Sequence, residues 1–245
     1  SKGAVKMHTV MSLRGSIPVD IHITHGKWHD SNMLDVMNFN PNDLFVMDKA
    51  YVDFEALYHI HKAGAFFVTR AKENMKYDVI ESLDGFDADS GVHGDYIIRV
   101  TGTKSKKLYP EPMRMVVYYD ADNDRELVFI TNNMEIAAID VANLYRNRWQ
   151  IEVFFKWMKQ NLTIKKLWGH SQNAVMTQLW VSICTYLIVA MIKYQLRSPY
   201  SITEVATLLS VSALEKISLK ELLTSPNPAL IHTQNVKELT LFDVS

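Results

Sequence analysis

Hydrophobic positions along this 245-residue chain change their period twice. Val5 to Leu13 and Ile17 to Thr24 are β-rich runs on either side of Arg14-Gly15-Ser16, which predicts a hairpin. Asp30 or Ser31 is placed to cap a short helix through Met37, and Pro41-Asn42 breaks it. Leu44-Phe45-Val46-Met47 is short and wholly apolar, the mark of a strand buried on both faces, and it ends at Asp48. A helical period over 53–63 stops near Gly64, and Ala65 to Thr69 reads as a second buried strand. The order β-β-α-β-α-β implies an α/β fold built on a mixed sheet.

From about 72 to 136 the chain turns polar and rich in glycine and proline. Short strands are predicted at Tyr96–Val100, Met113–Tyr119 and Leu127–Thr131, an all-β insertion within the α/β domain. Beyond 136 the period is helical: one helix over 136–161, another over roughly 171–197 and two short segments between 201 and 224. The expected division is therefore 1–71 as the first part of the α/β core, 72–136 as the β insertion, 137–225 as core and C-terminal helices, and 226–245 as a loosely structured tail. The longest apolar run, Leu179 to Ile192, has 14 residues. A membrane span needs roughly 20, so the run reads as a buried core helix and no membrane partner is expected.

Composition narrows the classes. With 48% hydrophobic residues the chain can bury a real core. Cys184 is the only cysteine, which excludes an internal disulfide and a thiolate-built metal site and fits a reducing cytoplasm. The net charge of −1 does not point to a polyanion, but its distribution does. Residues 141–200 hold eight Lys/Arg against one acid, Glu152, a net +7; residues 30–60 hold six acids against Lys49, a net −5. An acidic half beside a basic half suits an enzyme that acts on a phosphate backbone. Solvated faces that happen to segregate would give the same counts.

The helix over 136–161 is apolar on most of its circumference, yet Tyr145, Arg148, Glu152 and Lys159 recur at offsets of 3, 7 and 14. At about 100° per residue these four fall within an arc of about 60°. A narrow polar stripe on a buried helix needs a reason, because an unpaired buried charge is costly. An internal ion-pair network at helical spacing is one. Asp48 offers another: an acid directly after a buried strand sits at the strand's carboxyl end, where α/β sheets place their sites. Together with Glu152 it makes an oxygen-ligand pair of the kind Mg²⁺ or Mn²⁺ prefers.

Tyr145-x2-Arg148-x3-Glu152-x6-Lys159, within LYRNRWQIEVFFKWMKQNL, resembles the Tyr-Arg-Glu-Lys signature of bacterial insertion-sequence transposases of the DDE type. KGAVKMH, VMDKAY, FITN and LWGHSQNAV extend the likeness over nearly the whole chain. The resemblance implies a ribonuclease-H-like fold with a β-strand insertion between the second Asp and the Glu. It implies metal-dependent DNA cleavage and strand transfer at a two-metal site. Asp48 would be the second acid of the triad and Glu152 the third, both as catalytic metal ligands. Tyr145, Arg148 and Lys159 would contact phosphates at the transposon end. The implied partners are double-stranded DNA, both transposon ends and target, and a second copy of the chain in a homodimer on DNA.

In that family the first Asp lies on a strand upstream of the KGAVKMH segment, and Asp20, within the strand after Gly15, is a poor substitute. The 245 residues alone are therefore expected to be inactive or severely impaired. Two alternatives stay open: a nuclease of the same fold that does not join, and an inactive DNA-binding relic. Among weaker signals, Lys165 and Lys166, with His170 and Asn173, are candidates for DNA phosphate contact. His22, His25 and His29 read as surface or loop histidines, because strand positions 22 and 25 face opposite sides. Tyr109, Tyr118, Tyr119 and Phe129 lie in the insertion, where the resemblance implies that an aromatic can stack a flipped base; most of them read as core of the β unit. Trp149, Phe155 and Trp157 read as core packing rather than base-stacking groups.

Overall fold

A computed structural model describes residues 5–13, 15, 17–161, 171–212, 214 and 218–224. The chain divides into two compact units, one of residues Ser1–Leu13 and Val19–Glu152, the other of Arg14–Pro18 and Val153–Ser245.

In the first unit β1 (Val5–Ser12) and β2 (Ile17–His25) pair as the expected hairpin. A single 3₁₀ stretch, Asp30–Asp35, replaces the helix expected through Met37, and His29 before it supplies no capping bond. Six further strands form one sheet in the order β3-β4-β8-β7-β6-β5: β3 (Leu44–Met47), β4 (Phe66–Arg70), β5 (Tyr77–Ser82), β6 (Val92–Val100), β7 (Met113–Asp120) and β8 (Arg125–Thr131). β3 and β4 run parallel, as a β-α-β connection requires, and the remaining pairs are antiparallel. The strands between 72 and 136 thus hydrogen-bond into the same sheet as β3 and β4.

Alternation along the strands feeds two cores, one on each face of the sheet. Phe67, Met113, Met115 and Ile130 face α1 (Phe54–Lys62), which contributes Ala56, Leu57 and Ile60. Val68, Val116, Leu127 and Phe129 face α3 (Ala138–Arg146), which contributes Val141, Ala142 and Tyr145. The short α2 (Ser105–Leu108) precedes Tyr109, a fully buried ring in the first core. Burial on both faces explains why β4 reads as a continuous apolar run. β3 differs: it is an edge strand, and only Met47 of its four residues is fully buried. β5 was invisible to the hydrophobic pattern because all six of its residues are exposed.

Local chemistry sets the boundaries of α1. Asp53 caps its first turn by accepting from the backbone of Glu55 and Ala56. Gly64, at φ 73°, ends it: its N–H reaches His61 and that of Ala65 reaches Ile60. That pair of bonds is a Schellman close, which favours glycine at the left-handed position.

The single helix expected over 136–161 is two, α3 and α4 (Trp149–Asn161), broken by a turn at Asn147-Arg148. The bonds there tighten from i→i+4 to i→i+3: Arg148 N–H donates to Tyr145 O, Gln150 to Asn147 and Ile151 to Arg148. Asn147 also donates its side-chain amide back to Asn143 O at 3.0 Å, the competition with helical bonding that makes Asn a poor interior residue.

In the second unit α5 (Gln172–Gln195), α6 (Ile202–Val211) and α7 (Leu219–Thr224) share a small core of Val189, Val205, Leu208 and Leu223. Phe154 and Trp157 pack on Tyr186, with ring centroids 4.7 and 5.1 Å apart. α5 corrects one expectation. It has 24 residues, is long and apolar enough by composition to cross a membrane, and is not buried all round. Trp180, Val181, Cys184, Ile188 and Met191 are exposed, while Leu179, Ile183, Tyr186 and Val189 face inward together with the polar Gln178 and Ser182.

Candidate active site

Asp48 follows β3 and caps a 3₁₀ turn, Lys49–Tyr51, its Oδ1 accepting from Ala50 N–H at 3.0 Å. The strand register places Met47 opposite Thr69, so Asp48 and Arg70 leave the sheet at the same end. Val46, two residues back, belongs to the core under α3, which puts Asp48 on the α3 side by strand alternation.

α3 brings Tyr145 to that side. Its ring is buried against Phe129, with centroids 4.9 Å apart. The guanidinium of Arg148, in the turn after α3, lies 5.5 Å from the Tyr145 ring centre, within cation–π range. Arg148 Nη2 donates to Glu152 Oε1 at 2.6 Å, and its Nη1 stands 3.8 Å from Asp48 Oδ2. One guanidinium therefore touches both of the predicted acids, although 103 residues separate them in the chain. The side chains of Arg148, Asp48 and Glu152 are 24%, 40% and 63% exposed, a cluster open to solvent on its acidic side.

The electrostatics follow from this packing. Burial works against the charge on Arg148, but the hydrogen bond it donates to Glu152 and the nearby Tyr145, Glu152 and Asp48 more than offset it and raise its pKa. Burial, and after it Asp48, pushes the Tyr145 phenol above its usual 10.0, with Arg148 and Arg70 pulling the other way. Two donors are left over: Arg148 Nε and the Tyr145 hydroxyl are buried, and neither makes a well-aligned hydrogen bond. A buried donor without a partner is costly, and an oxyanion would satisfy both.

Asp48 and Glu152 are hard oxygen donors, the ligand type of Mg²⁺ and Mn²⁺. Among the described residues no group of three or more His, Cys, Asp and Glu could hold a metal. An ion here would take two carboxylates from this chain and fill its other positions with water or phosphate oxygens, as Mg²⁺ commonly does.

The remaining predicted residues are placed as follows. Lys159 is exposed on α4, in the second unit. Lys165, Lys166 and His170 lie outside the described residues, and Asn173 is exposed in the first turn of α5. His22 pairs with Asp20 at 3.1 Å, and His25 and His29 are exposed. Tyr109 and Phe129 are core, as expected, and so is Trp157. Trp149 is not: it is 53% exposed beside Arg148, which removes it from the core and leaves a large aromatic surface next to the cluster. The sequence reading also passed over Arg70. The logic that singled out Asp48, a charged residue directly after a buried strand, applied to it equally.

Residues 1–188 match the family described as transposase DDE domain. The chain belongs to that family. The mixed sheet followed by C-terminal helices agrees with its ribonuclease-H-like fold. A protein named as transposase for insertion sequence element IS5377 of Geobacillus stearothermophilus is 32% identical over 188 residues, covering 76% of this chain and 49% of that protein. The Sinorhizobium fredii protein named transposase y4zB is 32% identical over 191 residues, 75% of this chain and 52% of its own length. A Synechocystis protein named as transposase for insertion sequence element IS4SA is 26% identical over 223 residues, 87% of this chain and 61% of its own. This DDE transposase chain thus spans about half the length of the first two.

Proposed function

We propose that this chain supplies most of the catalytic core of a transposase that cuts DNA at transposon ends and joins the freed ends to target DNA. The observation that carries the reading is the shared guanidinium: Asp48, at the end of β3, and Glu152, in the first turn of α4, converge on Arg148. The two carboxylates would hold Mg²⁺ or Mn²⁺ together with an acid that the family resemblance puts on a preceding strand. Divalent ions held this way activate a water or a 3′-hydroxyl and stabilise the leaving oxygen of a phosphodiester.

The protein's own residues position the reacting strands. Tyr145, Arg148 and Lys159 would grip phosphates at the transposon end, with Lys165 and Lys166 as further contacts, since phosphate contacts fix register and orientation. Arg70, at the same strand end as Asp48, adds a cation to that surface. Water first displaces the 3′ oxygen of the transposon strand from its phosphate. The freed 3′-hydroxyl then attacks a target phosphodiester, one phosphorus–oxygen bond forming as another breaks. The enzyme would work as a homodimer on paired ends, in the cytoplasm on chromosomal DNA.

The test is product analysis on a duplex carrying the transposon end, with Mg²⁺ and the intact protein. Nicked and joined products are expected. Asp48→Ala or Glu152→Ala should lower both about a thousandfold or more, several kcal/mol of transition-state stabilisation, while leaving DNA binding in place. Hydrolysis without any joined product would point to a nuclease instead.

A further inference from the structure

Arg148 stands where a metal-ligand pair would need a cation. Its Nη2 takes Glu152 Oε1 at 2.6 Å and its Nη1 faces Asp48 Oδ2 at 3.8 Å, while Asp48 Oδ1 is held by the turn it caps. A divalent ion that used the oxygens facing the guanidinium would meet its charge. Mg²⁺ coordinates oxygen at about 2.0–2.1 Å, so an ion on Glu152 Oε1 would sit against a guanidinium on the same atom. Two cations crowded onto one oxygen repel each other.

We propose that Arg148 competes with the divalent ion for Asp48 and Glu152, and yields them when a DNA phosphate takes its guanidinium. The proposal rests on the reading of these two acids as metal ligands. Electrostatics support it. With the ion bound, Arg148 is a further positive charge beside it, and a DNA phosphate that takes the guanidinium offsets that charge. Metal and DNA backbone are then each bound better in the presence of the other, and the coupling is reciprocal. The spare donors support it independently. Arg148 Nε and the Tyr145 hydroxyl are buried without well-aligned partners, two hydrogen bonds that an oxyanion at this spot would gain. Arg148 also lies in the turn between α3 and α4 rather than inside either helix, so its side chain can change partners without unwinding one. If the contact to Glu152 were merely an exposed i,i+4 pair, it would be worth about 0–1 kcal/mol and would have no bearing on metal affinity.

The test reads Mn²⁺ binding to the intact protein from the paramagnetic resonance signal of the free ion, without DNA and then with a saturating 30-base-pair duplex (a length chosen at roughly three helical turns). Without DNA, Arg148→Met should bind Mn²⁺ about tenfold more tightly than the wild type, the factor that 1.4 kcal/mol of relieved repulsion gives. The duplex should tighten Mn²⁺ binding by wild type about tenfold and that of Arg148→Met far less. Arg148→Gln keeps a donor for Glu152 without the charge and should behave like Arg148→Met, so the test survives if the methionine variant fails to fold. Equal or weaker Mn²⁺ binding by the folded variants, at a site that Asp48→Asn and Glu152→Gln abolish, overturns the competition and leaves the metal reading standing. Mn²⁺ binding indifferent to Asp48→Asn and Glu152→Gln, or absent from every protein with and without the duplex, overturns both.

Discussion

Two arginine–carboxylate clusters in the first unit carry the same chemistry to opposite ends. In the middle of the sheet, Arg114 on β7 and Asp95 on β6 form a two-pronged pair, Nε to Oδ1 at 2.8 Å and Nη2 to Oδ2 at 2.6 Å, with both side chains 6% exposed. The remaining arm of Arg114 donates to the carbonyl of Ile136, just before α3, whose own cap residue Ala137 offers no side-chain bond. Asn133 Oδ1 accepts from the N–H of Ile136, so the backbone of that residue is held at both its N–H and its carbonyl. At the strand end, Arg148 faces two acids, one of them at 3.8 Å, keeps a buried Nε without a well-aligned partner and stays open to solvent. The first cluster is neutral and closed. The second is acidic by one charge and has donors to spare. A closed pair holds a fold, and an open, unbalanced one is equipped to take a ligand.

Breaking the closed cluster should give the largest effect on stability. Arg114→Ala leaves Asp95 buried without its counter-ion, which costs about 3–5 kcal/mol. Urea denaturation should show it as a large fall in midpoint. The paired replacement Arg114→Met with Asp95→Leu removes both charges and should recover most of the loss, because well-packed apolar residues commonly replace a buried pair without penalty. If the single variant unfolds no more easily than wild type, the closed cluster is not what anchors the entry to α3.

The open side of the comparison is sharpened by Trp149. Its ring is 53% exposed one residue from Arg148, whereas Phe154, further along α4, is fully buried against Tyr186. Trp149→Ala should leave the urea midpoint nearly unchanged. If the ring stacks a DNA base at the cleaved end, the same substitution weakens binding of single-stranded DNA by about 1–3 kcal/mol, the usual worth of one base–aromatic contact. A fluorescence anisotropy titration measures it, and unchanged affinity would assign the ring to surface packing only.

The sequence showed these features unequally, and the reasons are physical. Strands buried on both faces, β4 above all, announce themselves as apolar runs, and α1 carries its own stop and start signals in Asp53 and Gly64. Asp48 was legible because it follows an apolar run, although β3 proves to be an edge strand with only Met47 buried. β5 was not, since an edge strand with every residue exposed has no alternation to detect. The helix over 136–161 was misread because apolar spacing runs on through Asn147-Arg148, while the break comes from hydrogen bonds that periodicity does not encode. The placing of Tyr145, Arg148 and Glu152 near one another was foreseen from one helical face, and they do cluster, but through a turn. The exposure of Trp149 depends on how α4 begins, which the one-helix reading had already lost.

The smallest expected effect concerns a third polar cluster, closed like that of Arg114 yet titratable. His8 on β1 is 3% exposed, with Nε2 2.9 Å from Thr24 Oγ1 and Nδ1 3.4 Å from the Tyr51 hydroxyl. Burial lowers its pKa from 6.5; Asp30, 3.9 Å away, pulls upward, and Lys6 and His22 add to the lowering. Because the folded pKa lies below the unfolded one, the unfolded chain holds more protons as pH falls, and stability rises with pH in that range. The contribution is complete above about pH 6.5 and is lost as the pH drops below it. His8→Gln keeps a polar partner for Thr24 and cannot titrate, so it should flatten the slope of stability against pH between about 5 and 7. Urea midpoints at three pH values in that window measure the slope, and a variant as steep as wild type would place the titration elsewhere. Tyr51 closes the 3₁₀ turn that Asp48 opens, so His8 ties the β1–β2 hairpin to the turn that presents the first of the two acids. If the hairpin steadies that acid through Tyr51, Tyr51→Phe should leave the pH slope intact and still lower Mn²⁺ affinity slightly, which separates the titrating group from the bond it makes.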